Sequence, residues 1–535
     1  MLKKKLIVNL LLCLLIPCML PAQEALKSVE EDYYDFLALQ GLAERPVLNY
    51  RTLSDSVWPV DEDASHLWQG QNMGTWKSLY GDIRMRTYGP ELFMSVNSTA
   101  PYGQNDGVLW QGRGLNALLK GGVRFEGYGA ELTLMPNFSF SQNASFDIMP
   151  SWYDSEYGYF WGYAHNIGAD APQRFGDKSF FDFDFGDTEI RYTWKTLTIG
   201  FGAQAIWLGP SYINSILHSN NAPAYPKFDI GLRRQRINIP WIDDWYLGDI
   251  EMRLWTGHLT ESNFFDNNDS NNYTMIHGFT FAYAPSFLSG LTLFANRVCL
   301  VPWAWENIKY IFPVASNTIE DQKASFGFSW IFPQVSLEIY GELGVDDYLA
   351  AGNNVRYPFH TMVYTVGLKK VIPILPVKNI YGELLLEWNS LEMSQNIQLS
   401  NTYSPYFHHQ LTHGYTNRGQ WLGVGTGWGG NSQYIEFKLY YPKGTSSFFI
   451  HRNNPDNNFI YREAVLNPSS AELREKFYKS WKTNFIIGIN TKHFFMDTFI
   501  LGGGMAYNFT MNPNYYFKDE IWHNFSLNLF FKWSM

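Results

Sequence analysis

The sequence predicts an all-β fold that closes into a barrel inside a membrane, and three observations favour it. Many segments alternate between apolar and polar residues with a period of two, as in the closing stretch HNFSLNLFFKWSM (523–535). The connections between these segments alternate between tight turns and long polar loops. Aromatic residues make up 18% of the chain, with 20 Trp and 34 Tyr, which suits an interface between water and an apolar phase.

The first 22 residues have the pattern of a secretory signal peptide that is removed on export. Three lysines at positions 3–5 precede an apolar run at 6–16, and the small residue Ala22 suits a cleavage point. A lipoprotein signal that uses Cys18 ranks second, because Pro17 fits that pattern poorly.

Residues 23–80 are predicted to form a small, partly helical region. In the stretch SVEEDYYDFLALQG (28–41), Ser28 can cap a helix and Gly41 can end it. The apolar residues recur at helical spacing: Val29, Tyr33, Phe36 and Leu37. So short a helix buries too little apolar surface to be stable alone, so we expect it to dock on a larger unit.

Residues 81–535 are predicted to form the barrel. In KASFGFSWIF (323–332), aromatic residues alternate with Ser and Gly. Tight turns are expected at 126–129, 195–196 and 332–334, and long loops at 141–187, 261–274, 302–322, 389–420 and 451–482. A soluble β-sandwich would alternate in the same way. The signal pattern, the many similar strands and the excess of aromatic residues favour the membrane, where a sheet must close so that every backbone group is paired.

The composition excludes several classes of protein. The formal net charge is −10, or −13 without the three lysines of the signal, which disfavours nucleic-acid binding. No stretch after residue 22 has about 18 uninterrupted apolar residues, so no transmembrane helix is predicted. The mature chain keeps only Cys299 and so cannot form an internal disulfide.

The motifs with catalytic or metal-binding potential are incomplete, and the chain is predicted to be neither an enzyme nor a cofactor or metal protein. GTGWGG (425–430) has no βαβ unit around it. DNNDSNN (266–272) begins like a calcium loop but lacks the required Gly and Glu. Asp182 and Asp184 share one strand face, where acid/base chemistry is conceivable, but in a barrel such carboxylates usually line a wet lumen.

Eight stretches in order resemble the family of the capsule assembly protein Wzi. They are DYYDFLALQGLAERP (32–46), YGQNDGVLWQGRGLNALLKGGV (102–123), PQRFGD (172–177), IWLGPSYINSILHSNNAPAYP (206–226), GHLTESNFF (257–265), LEIYGELGVDD (337–347), LLLEWNS (384–390) and HHQLTHGYTNRGQWLG (408–423). Each is weak alone, and their order makes the resemblance specific. The turn motif within 206–226 comprises Trp207, Gly209, Pro210, Asn220 and Asn221, with Leu208 where the family often has a second Trp.

The resemblance implies an outer-membrane barrel of about 18 antiparallel strands whose periplasmic end is closed by a helical bundle. It also implies a non-catalytic, monomeric protein that holds capsular or related polysaccharide at the cell surface. Its expected partners are that polysaccharide, outer-membrane lipid and the export machinery. A transport channel is the alternative function, and an outer-membrane hydrolase is a third.

Two sets of residues are predicted to serve this function. Aromatic and cationic side chains in long loops can meet the faces and edges of sugars, and the candidates are Trp152, Tyr157, Trp161, Tyr406, Tyr415 and Arg418. Any one of these rings could instead belong to the girdle at the lipid interface. A charge network in the lumen is expected from Arg297, Glu338, Glu342 and Glu387, because buried charges must be paired. Asn220 and Asn221 can tie backbone segments together rather than contact a ligand.

Overall fold

The computed structural model describes most of the chain. The described residues are 22–24, 26–61, 65–149, 151, 155–158, 169–239, 245–312, 319–346, 356–357, 359–394, 405–408, 410–460, 481–515 and 520–534. The predicted signal peptide, apart from Ala22, and the candidates Trp152 and Trp161 lie outside these ranges.

Eighteen antiparallel strands form one closed barrel, which confirms the predicted fold class. In chain order they are β1 Ile83–Asn97, β2 Gly114–Gly127, β3 Ala130–Leu134 with Asn137–Ser141, β4 Phe180–Asp184 with Glu189–Trp194, β5 Leu197–Gly202, β6 Lys227–Asn238, β7 Tyr246–Thr260, β8 Tyr273–Pro285, β9 Leu291–Pro302, β10 Asp321–Phe332, β11 Leu337–Asp346, β12 Val363–Leu375, β13 Ile380–Ser390, β14 Asn431–Tyr441, β15 Gly444–Asn454, β16 Thr483–Met496, β17 Phe499–Met511 and β18 Ile521–Trp533.

Strands β3 and β4 are each interrupted once, at facing positions. Pro136 breaks β3 because it has no N–H for the ladder. In β4 the break contains Gly186, whose φ of +51° lies in the left-handed region. The segments nearer the long loops, Asn137–Ser141 and Phe180–Asp184, still pair with each other, and so do the segments nearer the short turns, Ala130–Leu134 and Glu189–Trp194. We call them the outer and the inner segments.

The last strand closes the barrel by pairing with the first, with Leu527 opposite Val96. Its two faces differ as the sequence predicts. Phe525 and Leu529 point outward and are about 60% exposed, whereas Asn524 and Ser526 point inward and are buried. The outside of the barrel is therefore apolar and its interior is polar.

Short turns join the strands at one end of the barrel. Two of them share one design, a single 3-10 turn that begins with proline, Pro333–Val335 and Pro376–Lys378. Each is followed by a left-handed residue, Ser336 or Asn379. The long connections leave from the opposite end, as predicted.

The N-terminal region lies inside the barrel at the short-turn end. Its helix α1, Val29–Leu39, begins after Ser28, whose hydroxyl accepts a hydrogen bond from the N–H of Glu31 at 3.1 Å. The ring of Phe36 stacks on Tyr440 of the wall at 4.0 Å between centroids, which confirms that the helix docks on a larger unit. The implied helical bundle is not found, since α1 is the single α-helix that the described part of the region contains. None of the described helices is long and apolar enough to cross a bilayer.

Candidate functional site

The segment 203–226, between β5 and β6, folds into the lumen and carries the turn motif. Trp207 is fully buried and exchanges two backbone hydrogen bonds with Arg51 of the N-terminal region. Gly209 has a φ of +80°, and its N–H donates to the side chain of Asn49 at 2.8 Å. A Cβ on Gly209 would lie 2.9 Å from the Glu342 carboxylate. This lumenal loop, as we call residues 203–226, therefore connects directly to the N-terminal region.

Two carboxylates of the wall hold the lumenal loop by its backbone. The carboxylate of Glu387 accepts hydrogen bonds from the N–H groups of three consecutive residues, 212–214, at 2.6 to 3.3 Å, and from the Tyr340 hydroxyl at 2.8 Å. Glu342 accepts from the N–H of Ile216 at 3.4 Å. These glutamates thus serve as acceptors for backbone groups and not as partners of arginine.

Lys27 of the N-terminal region lies between two rings of the lumenal loop. Its Nζ is 4.3 Å from the centroid of the Trp207 ring and 4.1 Å from that of the Tyr212 ring, and it donates to the Tyr212 carbonyl. Burial lowers the pKa of Lys27 to about 7. The cation–π contacts add to the attachment of the loop to the N-terminal region.

Asn221 ties the lumenal loop to two outer loops. Its side-chain N–H group donates to the Trp421 carbonyl at 3.0 Å, and its side-chain oxygen accepts from the N–H of Asn105 at 3.0 Å. The Asn220 carbonyl accepts from the N–H of Gly107 at 2.9 Å. Both asparagines make contacts within the protein, and Pro210 lines a cavity beside α1.

Tyr406 and Tyr415 pack over the lumenal loop and are fully buried. Their hydroxyls donate to the carbonyls of Ile216 and Leu217, each at 2.5 Å, and their rings stack at 5.4 Å between centroids. The predicted contact of these two rings with glycan is therefore corrected to a packing role, because no face of either ring reaches the outside.

Tyr157 and Arg418 are the predicted loop residues that the structure leaves partly accessible. The Tyr157 hydroxyl donates to Asp177 at 2.6 Å, and its ring meets Phe264 edge-on at 5.7 Å. This hydrogen bond to Asp177 raises the pKa of Tyr157. Arg418 pairs with Asp182 and also donates to the Phe183 carbonyl at 3.1 Å.

Two further rings join Tyr157 and Phe264 in an aromatic group that the sequence did not single out. Phe175 lies 5.0 Å from Trp110 and 5.9 Å from Phe264 between centroids. We call Trp110, Tyr157, Phe175 and Phe264 the outer aromatic cluster. All four are partly exposed, and the exposed carboxylate of Asp177 lies beside them. Trp110 lies in the loop between β1 and β2, Tyr157 and Phe175 in the loop between β3 and β4, and Phe264 in the loop between β7 and β8, so no local pattern in the sequence joins them.

The predicted charge network exists in the lumen, but its members differ from those expected. Glu338 is fully buried and binds both terminal nitrogens of Arg45, from the N-terminal region, at 2.6 and 2.7 Å. Arg297 was expected in this network, and that prediction is wrong. Arg297 lies on β9 between Phe279 of β8 and Ala324 of β10, on the outer face of the barrel. It donates hydrogen bonds to the Gln322 side chain and to the Tyr310 carbonyl. The 3-10 helix Trp305–Ile311 covers it there.

A second network, missed from the sequence, joins the N-terminal region to β4, β6 and β7. Asp55 contacts Arg253 at 2.5 Å and Arg233 at 2.7 Å, and Arg253 and Arg191 share Asp229. Burial alone would raise the pKa of Asp55, but Arg253 and Arg233 hold it well below its usual range. Both networks fix the N-terminal region across the barrel.

Buried carboxylates also meet at the base of the outer loops. Asp170 accepts from the N–H and the hydroxyl of Ser262, at 2.6 and 2.5 Å. Burial raises the pKa of Asp170 to about 7, and burial together with the nearby Asp170 raises that of Glu261 to about 9. No group of three or more His, Cys, Asp or Glu among the described residues could hold a metal ion.

A polar cavity of about 410 Å³ remains in the lumen between the N-terminal region and the wall. Its lining combines carboxylates, lysines, amides and rings, among them Asp32, Lys120, Asp184, Tyr212, Lys438 and Asn490. Helix α1 closes its short-turn end, where Asp32 pairs with Lys438 at 3.0 Å.

Comparison with known proteins bears on the family. Residues 99–299 match the family model of the capsule assembly protein Wzi. The resemblance to the Wzi family is confirmed. A solved structure from Escherichia coli, Wzi, has the same fold at a TM-score of 0.54 and 13% identity, covering 85% of each chain. That protein is described as a carbohydrate-binding β-barrel of the outer membrane involved in group 1 capsule assembly.

Other solved structures are less similar to this chain. OprB of Pseudomonas putida has a TM-score of 0.38 at 10% identity over 84% of this chain and 94% of its own. OccD3 of Pseudomonas aeruginosa has a TM-score of 0.38 at 8% identity over 87% and 95%. No curated protein sequence matches the chain.

Proposed function

We propose that this chain is an outer-membrane barrel that binds capsular or other surface polysaccharide and anchors it at the cell surface without cleaving it. The match of residues 99–299 to the Wzi family supports this role. So does the apolar outer surface of the barrel, which suits a bilayer. Its partners would be the polysaccharide, the surrounding lipid and the export machinery, and it would act as a monomer.

The observation that carries the proposal is the way the lumen is filled. The N-terminal region crosses one end, and the lumenal loop packs on it through Arg51, Lys27 and Asn49. Tyr406 and Tyr415 then cover the lumenal loop from the other side. A barrel filled in this way favours a binding surface over the alternative of an open transport channel.

The outer aromatic cluster is the proposed glycan surface. Its partly exposed rings can stack on the apolar C–H faces of sugars, while the exposed carboxylate of Asp177, held in place by the buried Arg174, can accept hydrogen bonds from hydroxyl groups. Trp152 and Trp161, which lie outside the described residues, remain predicted contributors, and Arg418 remains a candidate.

Binding of the purified barrel in nanodiscs to the host's own surface polysaccharide tests the proposal. We expect Tyr157→Ala and Phe264→Ala each to weaken binding by about two- to tenfold, the value of one aromatic contact. Phe328→Ala is the matched control, because that ring is on the lipid-facing side of β10 and should leave binding unchanged. Equal affinity of all variants and wild type would remove the cluster from the site. Absence of any binding by the wild-type barrel would contradict the function.

A further inference from the structure

The wall of the barrel has a notch on the long-loop side, between β4 and β7. Strand β5 ends at Gly202 opposite Lys227, where β6 begins, and Lys227 pairs with Gly257 of β7. Beyond this level β7 continues to Thr260, and the outer segment of β4 runs from Phe180 to Asp184. That segment pairs with β3 on one edge, and no strand among the described residues pairs with its other edge.

One residue of an outer loop bridges the two sides of the notch. Thr416–Asn417 and Gln420–Trp421 form a small hairpin whose turn residues, Arg418 and Gly419, have φ of 50° and 81°. The N–H of Arg418 donates to the Thr260 carbonyl at 2.7 Å on the β7 side. Its guanidinium donates to the Phe183 carbonyl and pairs with Asp182 on the β4 side. The notch is thus sealed by a loop side chain where the rest of the wall has strand pairing.

The outward-facing and the lumen-facing sides of the notch differ in chemistry. On the outside, Phe181, Phe183 and Phe185 are 83%, 41% and 61% exposed, so acyl chains can pack there. On the inside, Asp184 and Ala224 belong to the lining of the polar lumenal cavity of about 410 Å³. A short stretch of loop therefore separates an apolar outer surface from a polar cavity.

We propose that the notch is a lateral docking site for a glycolipid of the outer leaflet. The acyl chains would lie on Phe181, Phe183 and Phe185, and the sugar headgroup would meet Arg418 and point toward the cavity. A glycolipid fits better than a phospholipid because carboxylates, lysines and amides line the cavity behind the seal, and these groups can hydrogen-bond to the many hydroxyl groups of a sugar headgroup. The inference rests on the proposed function, because it requires the barrel to be in the outer membrane. It deepens that function by naming a lipid-anchored saccharide as a ligand.

Photo-crosslinking in a defined bilayer tests this site. The full mature chain would carry p-benzoylphenylalanine at position 183 and be reconstituted in nanodiscs of phosphatidylethanolamine and rough lipopolysaccharide. The matched control carries the same probe at position 485, an outward-facing Phe of similar exposure near the long-loop end of β16. We expect at least fivefold more lipopolysaccharide adduct at position 183 than at position 485, normalised to phospholipid adduct. Arg418→Ala should reduce this excess at least threefold, and Arg418→Lys should retain part of it.

The outcomes separate this inference from the proposed function. Equal normalised yields at both positions would overturn the site, because they would report only surrounding lipid. A protein–protein adduct at position 183 would overturn it as well, in favour of a second copy of the chain. The comparison of the two positions in the wild-type background does not depend on whether Arg418→Ala folds. If the same nanodiscs bind polysaccharide but show no excess at position 183, the glycolipid site fails alone. If the mature chain does not insert into nanodiscs, the proposed function fails.

Discussion

The carboxylate of Asp55, in the N-terminal region, lies 2.5 Å from the guanidinium of Arg253, on strand β7, and both side chains are buried. The pair joins two parts of the chain that are almost 200 residues apart. Together with Arg45 and Glu338, it makes the N-terminal region part of the barrel interior and not an appendage. Because these ions are buried, removing one partner leaves an uncompensated charge and strongly destabilises the protein. Replacing the whole pair by apolar residues of similar volume would change the stability much less.

Asp55→Asn is expected to loosen the N-terminal region. It leaves Arg253 and Arg233 with less compensation in a buried site, at a cost of about 3 to 5 kcal/mol. We expect faster hydrogen exchange over 29–39 and larger single-channel conductance in a planar bilayer. Glu44→Gln is the control, since Glu44 pairs with Arg234 while 62% exposed, and such a pair is worth about 0 to 1 kcal/mol. Equal effects of the two substitutions would contradict the role of the buried network.

Glu387→Leu is expected to release the lumenal loop from the wall. The N–H groups of residues 212–214 would lose their shared acceptor, and each buried unsatisfied group costs about 1 to 3 kcal/mol. Hydrogen exchange at 212–214 should rise by orders of magnitude. Glu383→Leu, a buried glutamate four residues earlier on the same strand face, is the control. If its effect on 212–214 matched that of Glu387→Leu, the capping by Glu387 would be refuted.

Tyr406→Phe is expected to destabilise the outer loops without removing an aromatic ring. The substitution deletes a hydroxyl that donates to Ile216 and accepts from the N–H of Val424 at 2.9 Å, for about 1 to 3 kcal/mol. Limited proteolysis of the loops should accelerate, while glycan affinity of the intact fraction should be unchanged. Tyr157→Phe, whose hydroxyl is at the surface, should leave proteolysis unaltered. Unchanged proteolysis in Tyr406→Phe would show that its ring alone holds the lumenal loop.

The outer loops are expected to loosen as the pH rises. Glu261 has a folded pKa raised from its ordinary value near 4.5 to about 9, so its contribution to stability is full below pH 4.5 and is lost as pH rises toward 9. The pKa of Asp170 is raised to about 7, so its contribution to stability is also lost as the pH rises, between about pH 4 and 7. Hydrogen exchange across 261–272 should therefore accelerate between pH 5 and 9, after correction for the intrinsic rate. Glu261→Gln keeps the shape without the charge and should flatten most of this dependence. An equally steep profile in Glu261→Gln would assign the dependence to another group.

The alternation of residues predicted the barrel because each strand obeys the same physical requirement at both faces. The closing strand is the clearest case, with Phe525 and Leu529 outside and Asn524 inside. The docking of α1 was also predictable, since the capping by Ser28 and the apolar face of the helix are local features.

The failures arose where a long-range contact overrides a local rule. Arg297 was assigned to the lumen because it is charged, although its alternation with Leu293 and Ala295 puts it on the outer face. Only the 3-10 helix that folds over this face makes a charge acceptable there. Tyr406 and Tyr415 were assigned to the surface because their loop is polar, but no local feature reveals that the loop turns inward onto the lumenal loop.

The amount of polysaccharide attached to cells, relative to the amount released into the medium, tests the central claim most directly. It would be measured in a host that lacks this chain and in the same host with the chain restored. The account predicts that loss of the chain lowers attached polysaccharide and raises released polysaccharide, with total synthesis constant and attachment regained on restoration. Unchanged attached and released amounts in the absence of the chain would contradict it.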